Sequence, residues 1–176
     1  MGTRLIHKNQ RGFSLIELLI VIALAALVTT GITTTIFQVF NMNSRTANRM
    51  AAVSQVQDAG KLVSEDILEA QSVNASGSKG FPLILTRTAQ NLTAYAVTYN
   101  ITVDNKLQRS LKITPDGEGS TTEVSIVAEY IAINQTSCAP LGVLTVGDAL
   151  KFTVTATVGG QSETRVYEVK PRSESL

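Results

Sequence analysis

The sequence has little of the chemistry that most enzymes use, with one histidine, one cysteine and no tryptophan in 176 residues. A catalytic triad needs a base beside its nucleophile, and His7 lies in a short polar N-terminal tail. We therefore expect no Ser-His-Asp or Cys-His catalysis. His7 and Cys138 cannot build a closed zinc site within one chain, and a single thiol excludes an intramolecular disulfide.

Charge of one sign is also lacking, since 15 Lys and Arg face 14 Asp and Glu, and only 5% of the residues are aromatic. Nucleic-acid binders use a basic surface with stacking rings, so we expect no specific nucleic-acid partner. With 44% hydrophobic and 16% charged residues, the chain is too apolar for disorder and too mixed for several membrane spans. This leaves one globular unit and room for one membrane segment.

One long uncharged run is present, from Leu18 to Ser44, directly after Glu17. As a helix the run would be about 40 Å long, at ~1.5 Å per residue, and a bilayer core is about 30 Å thick. The preceding tail carries Arg4, Lys8 and Arg11, which favour a cytoplasmic N-terminus. The bulk of the chain would then lie outside the cytoplasm.

The residues alone leave more than one interpretation of this segment. It could be a secretory signal peptide cleaved at Ala23-Leu24-Ala25, or a plain membrane anchor. Glu17 argues against both, because a carboxylate near a bilayer centre costs about 2.5 to 3.5 kcal/mol without compensation. A plain anchor could still keep Glu17 at the headgroups.

A third interpretation is a resemblance carried by Arg11–Ile22, with the sequence RGFSLIELLIVI. The Gly-Phe junction, the Glu five residues into a chain that begins at Phe13, and the apolar run resemble the class III signal of type IV prepilins and type II secretion pseudopilins. This resemblance implies cleavage after Gly12 by a prepilin peptidase and N-methylation of Phe13. It also implies assembly through the apolar helix, with Glu17 pairing to the N-terminal amine of a neighbouring subunit.

Beyond the apolar run, hydrophobic residues recur every three or four positions as far as Ala70, as on one face of a helix. We predict one helix from Phe13 to Val73, ended by the polar stretch Asn74–Ser78. Within it, Thr29–Thr35 around Gly31 is either a soft point or a row of threonines bonded to backbone carbonyls.

Three carboxylates, on Glu65, Asp66 and Glu69, fall on neighbouring turns of this predicted helix. Paired carboxylates can serve acid-base catalysis, but on an amphipathic helix they usually belong to a solvated face. The other interpretation is an anchor for an arginine of a loop.

From Phe81 onward the hydrophobic period changes from 3.6 to 2, which is typical of strands. Asp104-Asn105 and Gly159-Gly160 have the composition of tight turns, the second of them that of a two-residue hairpin. We expect an antiparallel meander with one face on the long helix. The predicted strands are 95–103, 107–113, 123–133, 149–158 and 164–170.

The remaining polar residues predict neither a metal nor a cofactor. Asp116, Glu118 and Asp148 lie in glycine-containing loops where calcium can bind, but they lack the spacing of a calcium-binding loop. Cys138 is expected to be a buried, inactive thiol, the alternative being an intersubunit disulfide.

The sequence therefore predicts an α+β, pilin-like fold. A long N-terminal helix, apolar in its first half and amphipathic in its second, would pack on an antiparallel β-sheet head. The expected divisions are a leader at 1–12 that is removed, a transmembrane and polymerisation segment at 13–39, an amphipathic continuation at 40–73 and a β-rich head at 74–176.

We expect a structural subunit and no enzymatic activity, specifically a minor pilin or pseudopilin of a type IV pilus or type II secretion-like filament. The C-terminal cysteine pair of many major pilins is missing, which favours a minor subunit. The expected partners are a prepilin peptidase/methylase, other pilin subunits and lipid of the cytoplasmic membrane. From that membrane, the processed chain would pass to a pilus at the cell surface or a periplasmic pseudopilus. The alternative is a secreted or membrane-anchored hydrolase or binding module with an ordinary signal or anchor.

Overall fold

The computed structural model describes Gly12, residues 14–144 and residues 148–171. The chain divides into two compact units, Met1–Ser44 and Arg45–Leu176, and the helix α1 (Leu15–Glu69) contributes to both. The strands are β1 (Ser72–Asn74), β2 (Leu83–Thr88), β3 (Ala94–Ile101), β4 (Leu107–Thr114), β5 (Thr121–Ala128), β6 (Ser137–Ala139), β7 (Leu150–Val158) and β8 (Gln161–Val169).

The described part of the first unit is helical from Leu15, and every described side chain up to Ser44 is exposed. By length and composition this helix could cross a membrane. Across Thr29–Thr35 it continues without a break, and five threonine hydroxyls donate to carbonyls three or four residues back at 2.8 to 3.1 Å. The interpretation of this stretch as threonines bonded to backbone carbonyls is thus confirmed.

In the second unit, the rest of α1 buries one face, which consists of Ala52, Val56, Ala59, Gly60, Val63 and Ile67. Their spacing of three and four residues places them on one side of a helix, as the hydrophobic pattern predicted. This face packs into a core that includes Tyr99, Leu107 and Phe152, all three of them fully buried.

The helix ends at Glu69, so the predicted end at Val73 is wrong. Residues 72–74 form β1, in which Val73 pairs with Leu85 of β2. The turn toward the sheet begins at Gln71, whose backbone N–H donates to the Thr86 carbonyl at 2.9 Å. Backbone hydrogen bonds to β2 therefore place residues 72–74 in a strand, although the local hydrophobic pattern assigned them to the helix.

The strands form two antiparallel sheets, one of β1 to β5 in chain order and one of β6, β7 and β8. The predicted meander is present in the first sheet, but the predicted strand 123–133 ends at Ala128. After that strand, Tyr130 adopts a φ of 60°, and Ile131 bridges to Ala156 of β7. The segment 129–133 therefore joins the second sheet instead of prolonging β5.

The turn between β7 and β8 is the predicted two-residue Gly159-Gly160 loop, with φ values of 52° and 78°. Positive φ at both positions is what a type I′ hairpin turn requires, and glycine adopts it without steric cost. Two adjacent residues are therefore sufficient to specify this turn.

The core of the second unit contains Phe152, whose ring lies 6.4 Å from the ring of Phe81 on one side and of Tyr167 on the other, measured between centroids. Cys138 is a free thiol and is buried, as predicted. Burial raises the pKa of this thiol to about 12, so it stays protonated and unreactive near neutral pH.

A long N-terminal helix followed by antiparallel sheets that pack on its second half confirms the predicted α+β, pilin-like fold class. The helix contacts β8 at Gly60. A Cβ atom at this position would lie 2.0 Å from Cζ of Tyr167, and the Tyr167 hydroxyl donates to the Val56 carbonyl at 3.1 Å. Only a residue without a side chain allows this contact.

We predict that Gly60→Ala destabilises the second unit. Forcing the Tyr167 ring aside should cost about 1 to 3 kcal/mol, more than the gain of up to ~1 kcal/mol in helix propensity. Gly31→Ala is the matched control in the same helix, because nothing lies within 4 Å of its Cβ position. Thermal unfolding of the full chain in detergent micelles measures both, and an unchanged Tm for Gly60→Ala would contradict the predicted clash.

Candidate functional site

The predicted processing and assembly residues lie where α1 begins. The Ser14 carbonyl accepts hydrogen bonds from the backbone N–H of Glu17 at 3.0 Å and of Leu18 at 3.1 Å, which places Ser14 at the N-cap position. Glu17 is then the third helical residue, and Ser-x-x-Glu is the spacing of a capping box. This short pattern could have indicated a helix start at Leu15 rather than at Phe13.

Glu17 is exposed and lies in the first turn of the helix, where the helix dipole favours a negative charge. The dipole contributes about 0.3 to 1 kcal/mol, whereas a carboxylate in a bilayer core costs about 2.5 to 3.5 kcal/mol. The ion pairs among the described residues do not include Glu17. The dipole of its own helix would therefore offset only a minor part of the free-energy cost of placing the Glu17 carboxylate in lipid.

Gly12 is exposed, and no atom lies within 4 Å of the position that a Cβ would occupy. Phe13, the predicted new N-terminus, lies outside the described residues, as does the basic tail that precedes Gly12. The structure thus gives the surroundings of Gly12 and Glu17, and their roles in processing and assembly stay predictions.

A second polar cluster joins α1 to the first sheet through Asp66. One Asp66 oxygen accepts from Arg109 Nε at 2.7 Å and the other from Arg109 Nη2 at 3.0 Å, a bidentate pair. The Tyr99 hydroxyl also donates to Asp66. Both members of the ion pair are largely buried, with side-chain exposures of 13% for Asp66 and 20% for Arg109.

The surroundings of Arg109 and Tyr99 in this cluster raise the pKa of both groups. The hydrogen bonds that Arg109 donates to Asp66 raise the pKa of Arg109 above its usual value. The pKa of Tyr99 is also raised, first by burial and then by its bond to Asp66. Tyr99 therefore keeps its proton and Arg109 its charge near neutral pH, so both serve as hydrogen-bond donors that link the sheet to α1.

Glu69 makes a weaker link, because its carboxylate lies 3.4 Å from Arg87 of β2 and both side chains are well exposed. Arg87 also stacks on the Tyr95 ring, 4.4 Å from its centroid. The predicted role of the carboxylates as an arginine anchor therefore fits Asp66 and Glu69. The arginines, however, lie on strands rather than on a loop, and Glu65 is exposed.

The described residues include no group of three or more His, Cys, Asp or Glu side chains that could hold a metal ion. A pocket of about 80 Å³ lies beside the Asp66 cluster, and several ionisable side chains share its wall. Its two carboxylates, Asp66 and Glu69, are each paired with an arginine. This arrangement can stabilise the fold, and it offers no unpaired carboxylate as a base.

Comparison with family models gives one finding, a match of residues 7–33 to the prokaryotic N-terminal methylation motif. This motif is the class III signal of type IV pilins and pseudopilins, so the resemblance predicted from Arg11–Ile22 is confirmed. The matched segment contains Gly12, Phe13 and Glu17. Comparisons with curated proteins and with solved structures gave no significant match.

We predict that Asp66→Asn destabilises the chain by about 2 to 3 kcal/mol, somewhat less than the ~3 to 5 kcal/mol for breaking a fully buried pair. The reason is that Arg109 would lose its counter-charge in a largely buried position. Glu65→Gln is the control, an exposed change on the same helix that should stay within about 0.5 kcal/mol. Denaturant unfolding of the full chain in micelles compares them, and equal midpoints would show that the pair adds no stability.

Proposed function

We propose that this chain is a minor pilin or pseudopilin, a structural subunit of a type IV pilus or a type II secretion-like filament. The observation that carries the proposal is the methylation motif at residues 7–33, which leads into an exposed apolar helix. A pilin-like β-rich head follows that helix. The physical properties of each part fit one stage of filament assembly.

The first stage is insertion into the cytoplasmic membrane as a prepilin. The side chains of α1 from Leu18 to Ser44 are uncharged and exposed, so lipid is a suitable environment for them. The threonines in this run donate to backbone carbonyls, which satisfies their hydroxyl groups without water. The basic tail before Gly12 would remain in the cytoplasm, and the head would face the other side.

The second stage is processing by a prepilin peptidase and methylase, with cleavage after Gly12 and methylation of the amine of Phe13. A protease must reach the backbone of the bond that it cleaves. Gly12 has no side chain and no close neighbour among the described atoms, which suits such an approach. Methylation of the new amine would keep its positive charge.

The third stage is assembly with other pilin subunits through α1. In a filament core, Glu17 of one subunit would pair with the amine of Phe13 of its neighbour. The helix dipole offsets only about 0.3 to 1 kcal/mol of the cost of this carboxylate, so the larger part must come from outside the chain. A neighbouring cation provides it and is itself compensated in return.

A hydrolase or binding module with an ordinary signal or anchor is the alternative. The described residues do not favour it, because the carboxylates that share a pocket are paired with arginines and Cys138 is buried. Mass spectrometry of the mature N-terminus distinguishes the two functions. N-methylated Phe13 supports the filament subunit, whereas an N-terminus at Ala26 or an uncleaved chain supports the alternative.

For the processing site, we predict that Gly12→Val blocks cleavage, because a branched side chain prevents the close approach of the peptidase to the backbone. Gly12→Ala, which adds a single methyl group, should keep part of the processing and serves as the control with a minimal side chain. Immunoblotting of membrane fractions measures the ratio of precursor to mature chain. Normal-sized mature protein in the Gly12→Val strain would place the cleavage elsewhere.

For assembly, we predict that Glu17→Leu leaves membrane insertion and cleavage intact but strongly reduces incorporation into fibres. An unpaired amine in the filament core should cost on the order of 3 to 5 kcal/mol. Thr30→Leu, an equally apolar change farther along the same helix, is the control and should assemble. Sheared fibres and membranes are compared by immunoblot, and wild-type incorporation of Glu17→Leu would exclude the charge-pairing role.

A further inference from the structure

Both sheets of the head end in a long strand whose outer edge has no backbone partner in the part of the chain that the structure describes. β5 pairs with β4 alone, and β8 pairs with β7 alone. An open edge presents a row of unpaired N–H and C=O groups, which another strand can bind. The two edges are therefore candidate contact surfaces for a further chain.

The edge at β5 has few of the features that usually protect an open strand. Six of its eight residues are exposed, and it contains neither proline nor lysine. Two apolar side chains on the same face, Val124 and Ile126, are exposed by 56% and 48%. A long, exposed and partly apolar edge of this kind is suited to strand addition.

The side chains of β5 can be assigned to faces of the sheet from their register. Ser125 lies opposite Arg109, whose side chain reaches α1, so odd-numbered residues such as Glu123 are on the helix side. Val124 and Ile126 are then on the outer side. The helix side of β5 thus carries one negative charge, and the outer side carries hydrophobic surface.

The edge at β8 shows the complementary pattern. Tyr167 contacts α1 through its hydroxyl, so Arg165, two residues earlier, is on the helix side as well. Val166 is on the outer side and is 53% exposed. Among the ion pairs of the described residues, Arg165 takes part in one long contact, 3.8 Å to Glu163, so a closer partner could bind its guanidinium.

We propose that β5 of one copy of this chain pairs with β8 of a second copy, so that the five-stranded sheet of one head continues into the three-stranded sheet of the next. The strands have matching lengths, eight and nine residues. With the strands parallel, the register that places Val124 beside Val166 also places Glu123 beside Arg165. One alignment therefore forms an apolar contact on the outer face and an ion pair on the helix face.

Because β5 and β8 are different surfaces, this contact is heterologous, and each copy would still offer one free edge to a further copy. Such a contact repeats along an open chain of subunits unless its rotation closes a ring. This inference rests on the proposed function, in which the chain assembles side by side with other subunits, and it adds the requirement that two neighbouring subunits are copies of this chain. It adds a head-to-head contact to assembly through α1.

The test uses the full chain with Val124→Cys and Val166→Cys together, oxidised with copper phenanthroline in cells and run on a non-reducing gel. We expect a ladder of covalent oligomers from the double variant. Either single variant alone should remain monomeric, and the two single variants expressed together should give dimers. Cys138 is buried and its pKa is raised, so the native chain is the control for background cross-linking.

A second set of variants tests the charge pair. In the double-cysteine background, Glu123→Arg should lower the yield of the ladder roughly two- to fivefold, as expected for a cross-strand charge pair. Adding Arg165→Glu should restore the yield. A loss that the reversed pair does not restore would overturn the proposed register.

The outcomes separate this proposal from the filament function. Fibres that contain the chain but yield no ladder overturn the strand pairing and leave the function intact. Dimers from Val124→Cys alone would show a two-fold pairing of β5 with itself, which also overturns the proposal. A ladder in membranes with no chain in sheared fibres would support the pairing and contradict the filament function.

Discussion

The hydrophobic surface of α1 is the constraint on which the rest of the structure depends, because apolar surface must be removed from water. In the second unit, the residues from Ala52 to Ile67 achieve this by packing into the core formed with the two sheets. From Leu18 to Ser44, the described side chains are all exposed. In the proposed function this part of the helix lies in lipid or against the helices of other subunits, and either environment would remove its apolar surface from water.

Polar groups then fix how the second half of α1 meets the sheets. Hydrophobic packing has no direction, whereas the bidentate pair of Asp66 with Arg109 is satisfied in one geometry. Gly60 contributes a second restraint, since the Tyr167 ring occupies the space of the missing side chain. The two contacts hold the helix against β4 and β8, one strand from each sheet. They set the position of the helix, while buried hydrophobic area provides most of the stability.

Glu17 differs from Asp66, because the ion pairs among the described residues do not include a partner for its charge. A comparison of magnitudes shows what kind of compensation it needs. The helix dipole contributes about 0.3 to 1 kcal/mol against a cost of about 2.5 to 3.5 kcal/mol in a bilayer core. In the proposed filament, the amine at the N-terminus of a neighbouring subunit would close this gap. The same carboxylate that hinders a simple export signal thus favours an assembling subunit.

Short-range patterns by themselves determined the class III signal, the apolar run, the amphipathic face up to Ile67 and the Gly159-Gly160 turn, because each depends on neighbouring residues. Tertiary structure decided the end of α1 at Glu69, where Gln71 bonds to Thr86, and the departure of Tyr130 and Ile131 from β5 into the second sheet. It also chose Arg109, 43 residues from Asp66, as the partner of that carboxylate. Local periodicity carries no information about which distant backbone or side chain will compete for a residue, so these features required the folded chain.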